Sequence, residues 1–251
     1  MTFQDYFSKQ AKVYSQHRPG YPAALFEYLA SLAPSQDLAW DCGTGNGQAA
    51  LELAKLFRQV IATDASSEQI EHAFPHERVD YRVEKSEQTT IESGTVDLIT
   101  VGTAVHWFDF EGFYREVRRV AKPNAILAVW TYELPKIEPR VDEWLENLLR
   151  VTLKDYWPDR FRYVDKRYRP LPFPFEEIQP PRFAMETRWD LNCLVGFVAS
   201  WSGTRRFIDA VGHQPFETKI DELRQIWGNE SLEKLLNWTL HFRVGRVNTG
   251  L

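Results

Sequence analysis

The run Leu38-Ala39-Trp40-Asp41-Cys42-Gly43-Thr44-Gly45-Asn46-Gly47 constrains this 251-residue chain more than any other stretch. A strand-like segment runs straight into three alternate glycines, Gly43, Gly45 and Gly47, and Gln48 to Phe57 then reads as a helix. Glycines are needed where the backbone turns sharply and a ligand must touch it with no Cβ in the way. The helix start offers free N–H groups to an anionic group.

The same strand-then-helix rhythm continues from about Asp37 to Trp130, which predicts a parallel sheet with crossover helices. The expected strands are Leu38 to Cys42, Gln59 to Thr63, Val79 to Val83, Val96 to Val101 and Ala125 to Trp130. Phe113, Val117 and Val120 recur at helical spacing within Phe110 to Ala121, and Lys122-Pro123-Asn124 is expected to stop that helix. Beyond Trp130 the pattern changes. Val141 to Leu153 reads as an amphipathic helix, and Pro158 to Pro181 holds six prolines among aromatic residues too numerous for a solvated linker, so an ordered cap is expected. Helical patterns fill Asn192 to Trp201 and Lys219 to Leu236, and Trp238 to Val247 alternates like a closing antiparallel edge strand. The expected organisation is a helical flap over residues 1–36 and a core over 37–134. A cap and substrate region with one late core strand follows over 135–237, and the closing edge strand over 238–251.

Composition narrows the function. With 43% apolar residues the chain can bury a sizeable core, and a formal net charge of −5 supplies no basic field for nucleic acid. A small-molecule substrate is the expectation. The two cysteines, Cys42 and Cys193, stand in no metal-binding or disulfide pattern, and no apolar run approaches membrane-spanning length. These features, with an N-terminus lacking a signal-peptide core, predict a soluble cytoplasmic protein with no metal and no membrane partner.

Two ligands compete for the glycine turn. A dinucleotide fingerprint requires glycine at the sixth position of its motif, where this chain has Gln48. Asp41 would also set a negative charge near a pyrophosphate, whereas it suits the ammonium of a methionine moiety. Charge therefore favours S-adenosylmethionine (SAM) over NAD. Asp64, at the end of the second strand, is expected to accept hydrogen bonds from the ribose hydroxyls. Ser86 and Glu87 after the third strand are the candidates for the adenine edge. Cys42, inside a strand end, reads as packing.

With these residues in place, the sequence resembles class I SAM-dependent methyltransferases. Val96-Asp97-Leu98-Ile99-Thr100 with Ala104-Val105-His106-Trp107-Phe108-Asp109-Phe110, together with Tyr14 and His17-Arg18-Pro19-Gly20-Tyr21-Pro22, is similar to the trans-aconitate methyltransferase group. Ser200-Trp201-Ser202 is a weaker echo. The resemblance covers about Phe3 to Trp130. It implies a Rossmann-like α/β fold: a seven-stranded, mostly parallel sheet with one reversed edge strand and a mainly helical cap, with SAM across the strand C-termini. By that likeness Asp41, Gly43, Gly45, Asp64, Ser86 and Glu87 hold the cofactor, and His106 lies beside the methyl group. Lys85 departs from the acidic residue many members carry there.

Methyl transfer needs mainly positioning and exclusion of water. A carboxylate acceptor, ionised above a pKa of about 4, needs no general base, whereas an amine or enolisable carbon does. His106 is the catalytic candidate, either as base or as a neutral positioning residue. Tyr14 and Trp107 can offer aromatic faces to the sulfonium, and Arg18, Arg205 and Arg206 can fork onto a carboxylate. Trp107, Trp201, Arg205 and Arg206 are the candidate substrate residues, with Tyr14 and Arg18 assigned to the cofactor side. The expected function is O-methylation of a small carboxylic acid. An N- or C-methyltransferase, a SAM-binding protein without turnover and an NAD-binding protein remain as alternatives.

Overall fold

In the computed structural model, which describes residues 20–248, the strands form where apolar residues occupy both faces of the chain. β1 (Leu38–Cys42), β2 (Gln59–Asp64) and β4 (Val96–Gly102) are almost wholly buried, as strands covered by helices on both sides must be, while β3 (Val79–Val83) is half-buried at the sheet edge. β5 (Ala121–Tyr132) completes the parallel set in the order β3-β2-β1-β4-β5. The chain winds outward from β1 in both directions. A crevice therefore opens between β1 and β4 at their C-terminal ends.

Helices close both faces. On one, α1 (Ala23–Leu32) buries Leu25, Phe26 and Leu29, joined by α2 (Gln48–Ala54). Between β2 and β3, α3 (Ser67–Glu71) is capped by Ser66, whose hydroxyl accepts the Gln69 N–H. On the opposite face, α4 (Phe110–Val120) packs Phe113 and Val117 against Trp40 and Val101. The expected stop at Lys122-Pro123-Asn124 comes slightly late: α4 ends at Val120, and those three residues already belong to β5, whose register against β4 shifts there while Asn124 takes a left-handed φ of +65°.

The cap begins with α5 (Pro139–Asn147) and a π-turn over Leu148–Thr152. It continues through α6 (Phe161–Asp165), β6 (Glu176–Ile178), β7 (Ala184–Trp189), α7 (Leu191–Ala199), α8 (Ser202–Val211) and α9 (His213–Trp227). Two expectations are corrected here. The helix expected to reach Leu236 stops at Trp227, because Gly228 takes a left-handed φ of +84°. The last strand, β8 (Lys234–Val247), starts earlier than expected and is not an edge: it lies antiparallel between β5 and β6, and its first half pairs with β7. Among the described residues the sheet has eight strands rather than seven, with β8 the one that is reversed. No helix among the described residues is long and apolar enough to cross a membrane.

Candidate functional site

The loop after β1 is built by three left-handed glycines that do different work. Gly43 (φ +67°) lies so close to the β4 loop that a Cβ would stand 2.6 Å from that of Ala104, and a Cβ on Gly47 (φ +91°) would strike the Tyr81 ring and hydroxyl. These two glycines admit protein. Gly45 (φ +57°) is the least crowded of the three, with nothing nearer than the Gln69 Oε1 at 3.7 Å to a Cβ built on it. The Gly43 and Thr44 N–H groups both donate to the Thr63 carbonyl, at 2.8 and 3.0 Å, tying the loop to β2.

Asp41 sits behind this loop rather than on the cleft wall. It is 1% exposed, and its two carboxylate oxygens accept from the Thr44 hydroxyl at 2.5 Å and the Thr100 hydroxyl at 2.7 Å. Burial pushes its carboxyl up to about 6 against the pull of those hydroxyls, with the Asp64 charge adding to the rise. Asp41, expected to meet a ligand ammonium, is placed with its oxygens fastening the turn to β4. Asp64 does reach the cleft. Its Oδ2 accepts the Gly45 N–H and its Oδ1 the Ser66 N–H, each at 2.9 Å, so it also fixes Gly45, which lines the cleft beside Gly43.

The turn after β3 places Lys85, Ser86 and Glu87 on the same cleft. Glu87 is half engaged elsewhere, since its Oε1 accepts the Asp109 N–H at 3.2 Å at the start of α4. Its methylenes press on Gly112, where a Cβ would come within 2.8 Å of Glu87 Cγ.

Across the crevice, β4 ends at Gly102 and Thr103, the latter in a left-handed conformation (φ +56°) that turns the chain into a short 3-10 turn, Val105–Trp107. His106 is 5% exposed, and its Nδ1 lies 2.8 Å from the hydroxyl of Tyr168 in the cap. Burial, reinforced by the Arg160 charge, lowers its imidazole to about 3, so the ring is neutral at physiological pH. Arg160 itself clamps the loop, donating to the carbonyls of His106 at 3.2 Å and Phe108 at 2.5 Å. Tyr168 and Arg160 escaped the sequence reading, because nothing in local spacing links the proline-rich cap to a loop some fifty residues earlier.

The cap supplies the far wall. Trp107, Trp201 and Arg206 line the same cleft as Gly45 and Asp64, a cavity of about 1370 Å³, whereas Arg205 lies on α8 outside that lining. Arg205 is thus not brought to the site. Trp157, another residue the sequence reading missed, stacks on Phe161 at 3.9 Å and lies over Gly203, where any Cβ would crowd the indole at 2.9 Å. Tyr14 and Arg18 lie outside the described residues.

With this geometry in hand, similarity to known proteins becomes informative. Residues 40–129 match the profile of the methyltransferase domain. A methyltransferase candidate of Dictyostelium discoideum is 36% identical over 83% of this chain and 81% of its own length. A crystallised type II methyltransferase candidate from Anaeromyxobacter dehalogenans is 38% identical, with a TM-score of 0.84 over 92% of this chain and 98% of its own. An uncharacterized methyltransferase of Schizosaccharomyces pombe is 25% identical over 84% of this chain and 83% of its own.

Proposed function

Because the chain belongs to the class I SAM-dependent methyltransferases, we propose that it methylates a carboxylate oxygen of a small molecule in the cleft between the β-strand ends and the cap. The residues fit the cofactor. Gly45 leaves its backbone open where a ligand can approach, and Asp64, fixed by two N–H groups, retains lone pairs for ribose hydroxyls. Ser86 and Glu87 stand at the adenine end, Gly43 lines the cleft beside Gly45, and Asp41 serves the site by shaping the loop from behind.

Bound there, SAM supplies a sulfonium methyl that an acceptor oxygen takes as the carbon–sulfur bond breaks and the electron pair returns to sulfur, so no proton has to leave. His106 carries the carboxylate reading by its place: it is 5% exposed and its Nδ1 is already met by the Tyr168 hydroxyl at 2.8 Å. A group that protonates only near pH 3 is a poor proton acceptor at pH 7, which suits an acceptor already ionised and disfavours an amine or carbon acid. His106, clamped through Arg160 and Tyr168, serves as a neutral hydrogen-bonding and positioning group. Trp107, Trp201 and Arg206 face the acceptor side of the cavity.

The test is transfer of labelled methyl from SAM to panels of carboxylic acids, amines and carbon acids. Base-labile methyl esters are the expected products. N-methyl or C-methyl products would overturn the carboxylate reading, and SAM binding without turnover on any panel would point to a binding protein. Failure to bind SAM or its demethylated product would remove the cofactor assignment itself.

A further inference from the structure

The acceptor half of the cleft is aromatic, and three of its arginines, Arg150, Arg160 and Arg167, are engaged by protein groups. Leu149, Trp157, Phe161, Phe197 and Trp201 line the part beneath the cap. Their rings hold one another in fixed geometry: Trp157 on Phe161 at 3.9 Å and 17°, Trp157 against Trp201 at 5.9 Å, and Phe197 edge-on to Trp201 at 5.5 Å. Phe197 and Trp201 are 2% and 8% exposed, so this wall is set before a ligand arrives.

Arg150 pairs with Glu146 at 2.9 Å and Asp165 at 2.7 Å, Arg167 pairs with Glu133 at 2.7 Å, and Arg160 holds the His106 and Phe108 carbonyls. On the cap side the cavity lining balances five acidic side chains with five basic ones, so its charges are largely matched within the protein. A small molecule with several carboxylates would have to displace protein carboxylates to find arginine partners. A flat apolar body loses nothing there and gains contact with preformed rings.

From this lining we infer that the acceptor is a monocarboxylic acid with a flat aromatic or similarly apolar body, seated against the wall that Trp157, Phe161 and Trp201 form, with its single carboxylate directed to the His106–Trp107 turn. This deepens the carboxylate reading above and rests on it.

The test uses the full-length protein saturated with S-adenosylhomocysteine, whose binding is measured first and separately. 3-Phenylpropionate and 2-naphthoate are then titrated by calorimetry beside butyrate, citrate and trans-aconitate. The aromatic monocarboxylates are expected to bind about tenfold or more tightly than butyrate, which has the same charge but little apolar area, and more tightly still than the tricarboxylates. Trp157→Leu should abolish most of that preference with S-adenosylhomocysteine affinity unchanged. Should that variant not fold, Trp107→Leu, on the less buried side of the cleft, provides the second readout and should weaken the aromatic acids severalfold. Equal or tighter binding of citrate or trans-aconitate overturns the inference, as does an aromatic preference that survives both substitutions. Aromatic amines or alcohols binding as tightly as the acids would retain the apolar compartment and overturn the carboxylate end. Loss of S-adenosylhomocysteine binding in the unmodified protein would instead count against the cofactor reading.

Discussion

His106 and Tyr168 meet with Nδ1 and the phenol oxygen 2.8 Å apart, across 62 residues of sequence, and this pairing joins the loop after β4 to the cap. Both side chains are buried, Tyr168 completely. Tyr168→Phe keeps the ring that lies 5.9 Å from the imidazole centroid but leaves Nδ1 without its partner. The expected cost is about 1–3 kcal/mol of unfolding free energy, measured by urea denaturation, with S-adenosylhomocysteine affinity nearly unchanged. A variant as stable as the parent would show that the bond contributes nothing.

His106 is expected to stay neutral through the physiological range. Its folded pKa of about 3 lies below the ordinary 6.5, so the unfolded chain takes up the proton first, and stability declines as pH falls from about 6.5 towards 3. Above 6.5 this group contributes no pH dependence. Imidazole NMR shifts of His106 should be flat between pH 5 and 9, and His106→Gln should make the acid-side loss of stability shallower. A titration near pH 6.5 would reopen the general-base role.

Asp41 works in the opposite direction. Its folded pKa of about 6 stands above the usual 3.8, so its contribution to stability is fully present below pH 3.8 and is lost as pH rises through 6. That loss is about 3 kcal/mol. Asp41→Asn, which can still bond the Thr44 and Thr100 hydroxyls, should therefore gain on the parent by roughly that amount between pH 4 and pH 7. A constant difference across that range would mean the carboxylate is ionised throughout.

The three glycines of the β1 loop should separate stability from binding. Gly43→Ala and Gly47→Ala combine a left-handed backbone, costing about 1–2 kcal/mol, with collisions against Ala104 and Tyr81, and are expected to lower the thermal midpoint markedly. Gly45→Ala meets the backbone cost alone, so its larger effect should be on SAM affinity, measured by calorimetry. Equal loss of binding in all three would contradict this division.

Much of the fold was legible in the chain itself. Leu38 to Cys42 and Val79 to Val83 form strands with the expected boundaries, and the spacing of Phe113, Val117 and Val120 marks the buried face of α4. These are local properties: a strand between two helical layers needs apolar residues on both faces, and a helix needs them every third or fourth position. The glycine turn and Asp64 were readable for the same reason, since their demands on φ and on strand ends are met within a few residues.

What the sequence determined by itself was therefore the alternation of elements, the turn that opens the cleft and the family to which the chain is similar. The tertiary structure decided which residues face that cleft. Asp41 was drawn behind the loop by Thr100, a hydroxyl on the neighbouring strand, and Arg205 was left off the wall that Arg206 joins one residue later. Tyr168, Arg160 and Trp157 entered the site only because the cap folds back over the β4 loop. β8 took an interior place through pairings with β5 and β6. Each of these outcomes depends on a contact between distant parts of the chain, whose closure entropy is offset only when the whole core packs, and no local spacing records such a contact.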